Sequence, residues 1–449
     1  MAFLIYEVIS VMQISKYVKT IEYKDSVVLY HTKEHSIIQL PREVVDNRVI
    51  IEDCIDEESL EAISEMKFSA NSDSEIALKA ALINSKKLFI SVELNLSCNL
   101  RCPYCYQSGT HNGSIITDGA LDSLRDYIEK VYEIQPFTDL YLKILGGEPT
   151  LVWNKLKKVY EDSMMICKEY GIHFHLLIDT NGTIVDKFEE LKEFESILFT
   201  IPLTYKRFHD KVRCDSKGNG TYDLVVSNIN KIKSIIPESK IVIRFNVDKE
   251  NINYFESFLK DIKQKLSFLP LVSVNYTAEL NGNAEFGTGL TYEEFIKWSS
   301  SVAVDSLLLV GLPVTISPII SIEECQFRSK YSLKLFSDGT VGSCAMSFFD
   351  KERTMISDLV SNVGCETYQF FQNKEKQSML SEDQCLQCAD IFVCGGTCKL
   401  PCIKALDSDA CAKKLNGISL EDFIPRYIDS QEAGNSNLFV VFENGESYR

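Results

Sequence analysis

LFISVELNLSCNLRCPYCYQSG, residues 88–109, runs a strand-like apolar stretch directly into three thiols, Cys98, Cys102 and Cys105. A structural zinc takes four protein ligands and a disulfide takes two. Three thiols in one loop is the count for a metal centre that keeps a coordination position open. Thiolates at this spacing can hold three irons of a [4Fe–4S] cube and leave the fourth free. A zinc knuckle with a distant fourth ligand is the competing reading of the loop taken alone.

The residues around this stretch, 87–318, alternate strand and helix. Strand-like runs recur at DLYLKIL (139–145), HFHLLID (173–179), SILFTIPL (196–203), KIVIRFNV (240–247) and LVSVNYT (271–277). Helical patterns lie between them, as at 117–134 and 221–236. Six such β–α units predict an α/β fold with a parallel sheet, either doubly wound or an open partial (β/α)6 barrel. In either, chemistry sits at the carboxyl ends of the strands. Cys98 follows the first strand, GGEP (146–149) the second and TNG (180–182) the third, so three candidate segments share one rim.

Two flanking regions differ from this core. In 1–86 the alternation in KYVKTIEYKDSVVLYHTKEHSIIQL (16–40) predicts a hairpin or meander, with helical patterns near 57–66 and 74–86, so a small α+β unit is expected. Residues 319–449 are loop-rich and dense in cysteine, which calls for metal or clusters in place of a large core.

The formal charge of −17 over 449 residues argues against a nucleic-acid partner, which needs a basic face. No run of 18 apolar residues is present, so no membrane span is expected. The opening MAFLIYEVISVM carries Glu7 and lacks a basic n-region and a small-residue cleavage site. It does not read as a secretory signal, and a cytoplasmic protein is expected. Met12, which opens a more strand-like segment, is an alternative start. In a long chain without a signal, the 15 cysteines read as metal ligands rather than disulfides. Cys54, Cys167 and Cys214 read as ordinary small buried residues.

The C-x3-C-x2-C loop after a first strand, with CPYCYQ inside it, resembles the radical S-adenosylmethionine (radical SAM) superfamily. The resemblance implies a [4Fe–4S] cluster held by Cys98, Cys102 and Cys105, with SAM on the free iron and Tyr104 near the adenine. ILGGEPTL resembles the segment that binds the amino group of SAM, which points to Gly146, Gly147 and Glu148. Thr180 and Asn181 would meet the ribose. HDKVRCDSKGNGTYD resembles a segment of peptide-modifying members, in which Arg213 would pair with the SAM carboxylate; Arg244 is a second candidate anion partner. The chain departs from the pattern at TIPLTY (200–205), where many relatives carry Ser-Leu-Asp-Gly.

The C-terminal cysteines resemble the SPASM domain, a binder of two auxiliary [4Fe–4S] clusters in peptide and protein maturases. Carried over, Cys385, Cys388, Cys394 and Cys411 hold the outer cluster, and Cys325, Cys344 and Cys398 the inner one. No cysteine stands just before Cys325, so the inner cluster either keeps an open iron or recruits Cys365 or Cys402. The whole resembles maturases of the sactipeptide and ranthipeptide type. It implies a radical enzyme that installs a thioether or other crosslink in a precursor peptide, with a flavodoxin- or ferredoxin-like electron donor. The N-terminal unit would then recognise a leader peptide by strand addition. Anaerobic sulfatase maturation, giving formylglycine, is the alternative enzyme reading. A non-catalytic Fe–S or zinc protein is the alternative of another class.

Overall fold

The computed structural model describes residues 10–34, 36–70, 86–105, 107, 113–194, 196–277, 290–314, 326, 329–343, 353–377 and 420–434. The helix expected at 74–86 lies almost wholly outside them, as do Cys325, Cys344, Cys385, Cys388, Cys394, Cys398, Cys402 and Cys411.

The N-terminal unit begins with β1 (Val11–Gln13), β2 (Val18–Tyr23), β3 (Ser26–His31), β4 (Ile37–Pro41), β5 (Val45–Asp46) and β6 (Val49–Ile51). They form two three-stranded antiparallel sheets, β2-β3-β4 and β1-β6-β5. The helix Glu57–Glu65 follows, its first turn capped by the Asp56 side chain accepting from the Ser59 amide. The two-residue period divides β3 between two cores. Val27 and Leu29 face a small cluster with Ile14, Ile50 and Phe68, whereas Val28 and Tyr30 join the main core.

The main core is built on β7 (Lys87–Glu93), β8 (Asp139–Leu145), β9 (His173–Asp179), β10 (Ile197–Pro202), β11 (Lys240–Val247) and β12 (Leu271–Tyr276). All six pair in parallel in sequence order, as the alternation predicts. Beyond β7 the sheet continues with β13 (Leu333–Leu335), parallel to β7, then β14 (Thr340–Gly342) and β15 (Thr354–Met355) antiparallel. Among the described residues β12 and β15 are its two ends, so the sheet is an open, partial barrel.

One face of each core strand is apolar, as in Ile90, Val92, Leu142, Ile178, Phe199 and Ile243, and is buried under helices. Each such side chain contributes about 1.5–3 kcal/mol. The helix Asp118–Ile134 starts on Thr117, whose hydroxyl accepts from the Ala120 amide. Trp153–Tyr170 stops at Gly171, left-handed with φ 68°. The helix Leu420–Glu432 ties the N-terminal unit to the core. Tyr23 donates to Asp429 (2.6 Å), Lys19 pairs with Glu421 (3.0 Å), and Arg426 reaches Asp305 (2.7 Å). Among the described residues no helix is long and apolar enough to cross a membrane.

Candidate active site at the cysteine loop

Three segments that are distant in sequence meet the cysteine loop. The Gly147 amide donates to the Asn95 carbonyl (2.9 Å) and the Glu148 amide to the Ser97 carbonyl (2.8 Å). Asn181 Nδ2 donates to Asn99 Oδ1 (2.8 Å) and lies 3.8 Å from Cys98 Sγ. The Arg101 amide donates to the Cys214 carbonyl (3.0 Å), next to Arg213. GGEP, TNG and the Arg213 segment therefore all brace one loop.

The glycines are explained by that bracing. A Cβ on Gly147 would overlap the Ser97 carbonyl, and one on Gly146 would crowd the Asn95 carbonyl. The close approach that suggested a ligand is made first to the loop's own backbone. Gly147→Ala is expected to lower stability by about 1–3 kcal/mol through overpacking, read as a lower urea midpoint with unchanged slope.

Glu148, expected near the amino group of SAM, is engaged by donors of the protein itself. Its side chain is fully buried. Oε1 accepts from the Thr150 amide (3.1 Å), the Thr150 hydroxyl (2.7 Å) and the Thr180 hydroxyl (2.8 Å), and Oε2 accepts from the Asn181 amide (2.7 Å). Burial pushes this carboxyl above its ordinary range despite the four donors. Thr180 also accepts from the Gly182 amide (3.2 Å), so its hydroxyl is engaged on both sides. Thr180 and Asn181, expected at a ribose, donate to Glu148, and Asn181 also to Asn99 in the loop. Asn95 and Asn99 complete this scaffold. The only sequence signal for them is two amides in a loop that follows an apolar run.

Arg213 is buried, and Nη1 donates to the Tyr104 hydroxyl (3.1 Å), while Nε has no partner. Burial works against its charge, but Tyr104 and the neighbouring thiols outweigh that and keep it protonated. The helix Lys206–Val212 delivers it, and its carbonyl accepts from the Thr221 hydroxyl (2.8 Å).

The thiols are half-buried and unbridged. Burial raises the Cys98 thiol, in part offset by the Leu100 amide 3.4 Å away, and it raises Cys105 to about 11. As isolated groups Cys98 and Cys105 stay protonated, so a metal must drive their ionisation on binding. Among the described residues no three His, Cys, Asp or Glu side chains converge closely enough for a single metal ion. A four-iron cube can take three thiolates from one such loop and leave its fourth iron free. The orphaned guanidinium nitrogen beside them suits a bound carboxylate. The residues present fit an iron–sulfur cluster with an anionic co-ligand.

Arg244 lies apart from this group. It faces Asp179 at 3.7 Å, and Lys143 meets the same Asp179 oxygen at 3.0 Å. Burial alone would raise the Asp179 carboxyl, but Lys143 and Arg244 hold it below the usual carboxylate range. Of the remaining cysteines, Cys167 is buried as expected, Cys214 is half-buried, and Cys54 is exposed, contrary to expectation. Cys54 sits in a short 3-10 turn outside the small core. Cys365 is exposed, with its thiol 3.3 Å from the Thr367 hydroxyl.

The family model described as Radical SAM superfamily matches residues 92–262, spanning the cysteine loop, GGEP, TNG and Arg213. The chain carries a radical SAM domain. A cysteine-type anaerobic sulfatase-maturating enzyme of Clostridium novyi is 27% identical over 185 residues, 39% of this chain and 48% of that protein. An S-adenosylmethionine-dependent nucleotide dehydratase of Fibrobacter is 25% identical, over 38% of this chain and 51% of its own length. The chain thus matches about half the length of these relatives. Among solved structures, anSMEcpe with bound AdoMet and Kp18Cys peptide aligns at TM-score 0.55 and 20% identity, over 78% of this chain and 99% of that one. Streptococcus suis SuiB bound to S-adenosylmethionine aligns at 0.50 and 15%, over 86% and 95%. At those identities the likeness is one of fold alone.

Proposed function

We propose that this chain is a radical SAM enzyme that modifies a peptide. The observation that carries the reading is the convergence of GGEP, TNG and the Arg213 segment on the Cys98–Cys105 loop. When bound, a [4Fe–4S] cluster with SAM supplies a 5′-deoxyadenosyl radical by one-electron cleavage of the sulfonium. The chain's own part is to position and to exclude water. Cys98, Cys102 and Cys105 would hold three irons, Arg213 Nε would receive the SAM carboxylate, and the Glu148 network would keep the loop fixed.

A peptide substrate is supported by the fold shared with anSMEcpe bound to Kp18Cys peptide and with SuiB bound to precursor peptide SuiA. Strand β4 pairs only with β3 among the described residues, and a leader segment would add as a strand along its other edge. The finer reading is a thioether or other crosslink, supported by the absence of a cysteine just before Cys325, which would leave room for a substrate thiolate at an inner cluster. Formylglycine formation is the second reading, favoured by the Clostridium novyi relative. A flavodoxin- or ferredoxin-like donor would supply the electron.

Calorimetry with SAM on the anaerobically reconstituted protein tests the reading. Stoichiometric binding and 5′-deoxyadenosine release under dithionite are expected. A reconstituted iron protein that binds no SAM would be an electron carrier or scaffold instead.

A further inference from the structure

Strand alternation turns Ser91 and Glu93, Lys143, Asp179 and Arg244 to the face opposite the helices, into the barrel lumen. At the amino ends of the strands this face is filled by stacked rings, Phe89 on Tyr141 (4.7 Å) and Tyr141 on His175 (4.3 Å). Toward the carboxyl ends it becomes charged. Glu93 and Lys334 meet at 3.1 Å with side chains 5% and 0% exposed, and cancel. Lys143 and Arg244 share the single carboxylate of Asp179. That leaves two cations against one anion in the lumen of a chain whose net charge is −17.

Arg244 is the under-satisfied member. At 3.7 Å its contact with Asp179 is too long for a hydrogen bond. Its guanidinium makes no hydrogen bond to any described residue, and its side chain remains 27% exposed to the lumen. A partly desolvated guanidinium with open donors calls for a carboxylate that it can grip in bidentate fashion. SAM has a nearer partner for its carboxylate in Arg213, which adjoins the thiols. Asp179 is followed immediately by Thr180 and Asn181, and Asn181 touches Cys98. The cluster is thus joined through two residues of one strand end to the side chain that reaches Cys98.

Resting on the peptide-modifying reading, we propose that Arg244 and Lys143 receive the side-chain carboxylate of an aspartate or glutamate in the peptide substrate. Asp179 holds the two cations apart and aims them into the lumen. Specificity follows from charge: an amide in place of the carboxylate leaves Arg244 unmatched, and a lysine is repelled.

The test uses three dye-labelled, glycine-rich hexapeptides that differ only in a central Glu, Gln or Lys. Binding to the full-length, reconstituted, SAM-loaded protein is read by fluorescence anisotropy. The Glu peptide should bind about tenfold or more tightly than the Gln peptide, with the Lys peptide weakest. Arg244→Gln should bring the Glu/Gln ratio close to one, and Arg244→Lys should retain part of it. Asp179→Asn, which removes the competing carboxylate, should raise affinity for the Glu peptide. A purely structural cluster would shift all three peptides together and in the same direction in every variant. Equal binding of Glu and Gln peptides by wild type, no measurable binding of the Glu peptide, or a ratio unmoved by Arg244→Gln overturns the inference. SAM cleavage by the same wild-type preparation keeps the two ideas separate. Cleavage without acidic preference sinks only this one, and acidic preference without cleavage sinks only the proposed function.

Discussion

Alanine at Cys98, Cys102 and Cys105 together is expected to remove about four irons per chain from the anaerobically reconstituted protein and to abolish 5′-deoxyadenosine release. These thiols are the cysteines that the described residues bring to the GGEP, TNG and Arg213 segments. Unlike Cys167, which is buried in the aliphatic core, they leave no large cavity when shortened, so the fold should survive. If the C-terminal cysteines carry two further clusters, about eight irons remain after the substitution. Iron content and sulfide content, measured beside product release, check each part separately. Zinc in place of iron would return the loop to a zinc knuckle. Product release untouched by the triple substitution would mean that the loop is not the radical centre.

The strands were legible because the physics that forms them is local. Each core run is a short β-branched or aromatic stretch bounded by turn residues, and DLYLKIL, HFHLLID and KIVIRFNV coincide with β8, β9 and β11 residue for residue. The shared rim of Cys98, GGEP and TNG followed from topology alone, because parallel strands put their carboxyl ends together.

What each polar side chain does there was not legible. Glu148 read as a partner for an ammonium, yet the fold folds it inward onto Thr150, Thr180 and Asn181. Whether a carboxylate next to two glycines faces a ligand or the protein depends on the path of another strand's loop. The Lys143–Asp179–Arg244 cluster was equally hidden. It exists because β8, β9, β10 and β11 pair in a register that sets Thr200 opposite Asp179 and Pro202 opposite Arg244. A slip of one residue would turn every one of these side chains to the helix face.

Glu148→Ala is expected to lower the stability of the cluster-free protein by roughly 2–6 kcal/mol, from two orphaned backbone N–H groups at about 1–3 kcal/mol each. The Thr150 and Asn181 amides lose their acceptor inside a space that is closed to water. The two threonine hydroxyls can rotate to other acceptors, so they add less. Glu148→Gln keeps one oxygen for Thr150 and Thr180 but turns an NH2 group toward the Asn181 amide, so it should fall between wild type and alanine. Domains are stable by only about 5–15 kcal/mol, so the alanine variant should unfold at a markedly lower urea concentration, with an unchanged slope if compactness is kept. Because Asn181 also holds Asn99 and borders Cys98, the same variant should lose iron on reconstitution even where it stays folded. A variant of wild-type stability whose only defect is weak SAM binding would reverse the assignment. Glu148 would then be a ligand contact, as the GGEP sequence by itself suggests, and the Thr150–Thr180–Asn181 bonds would be incidental to it.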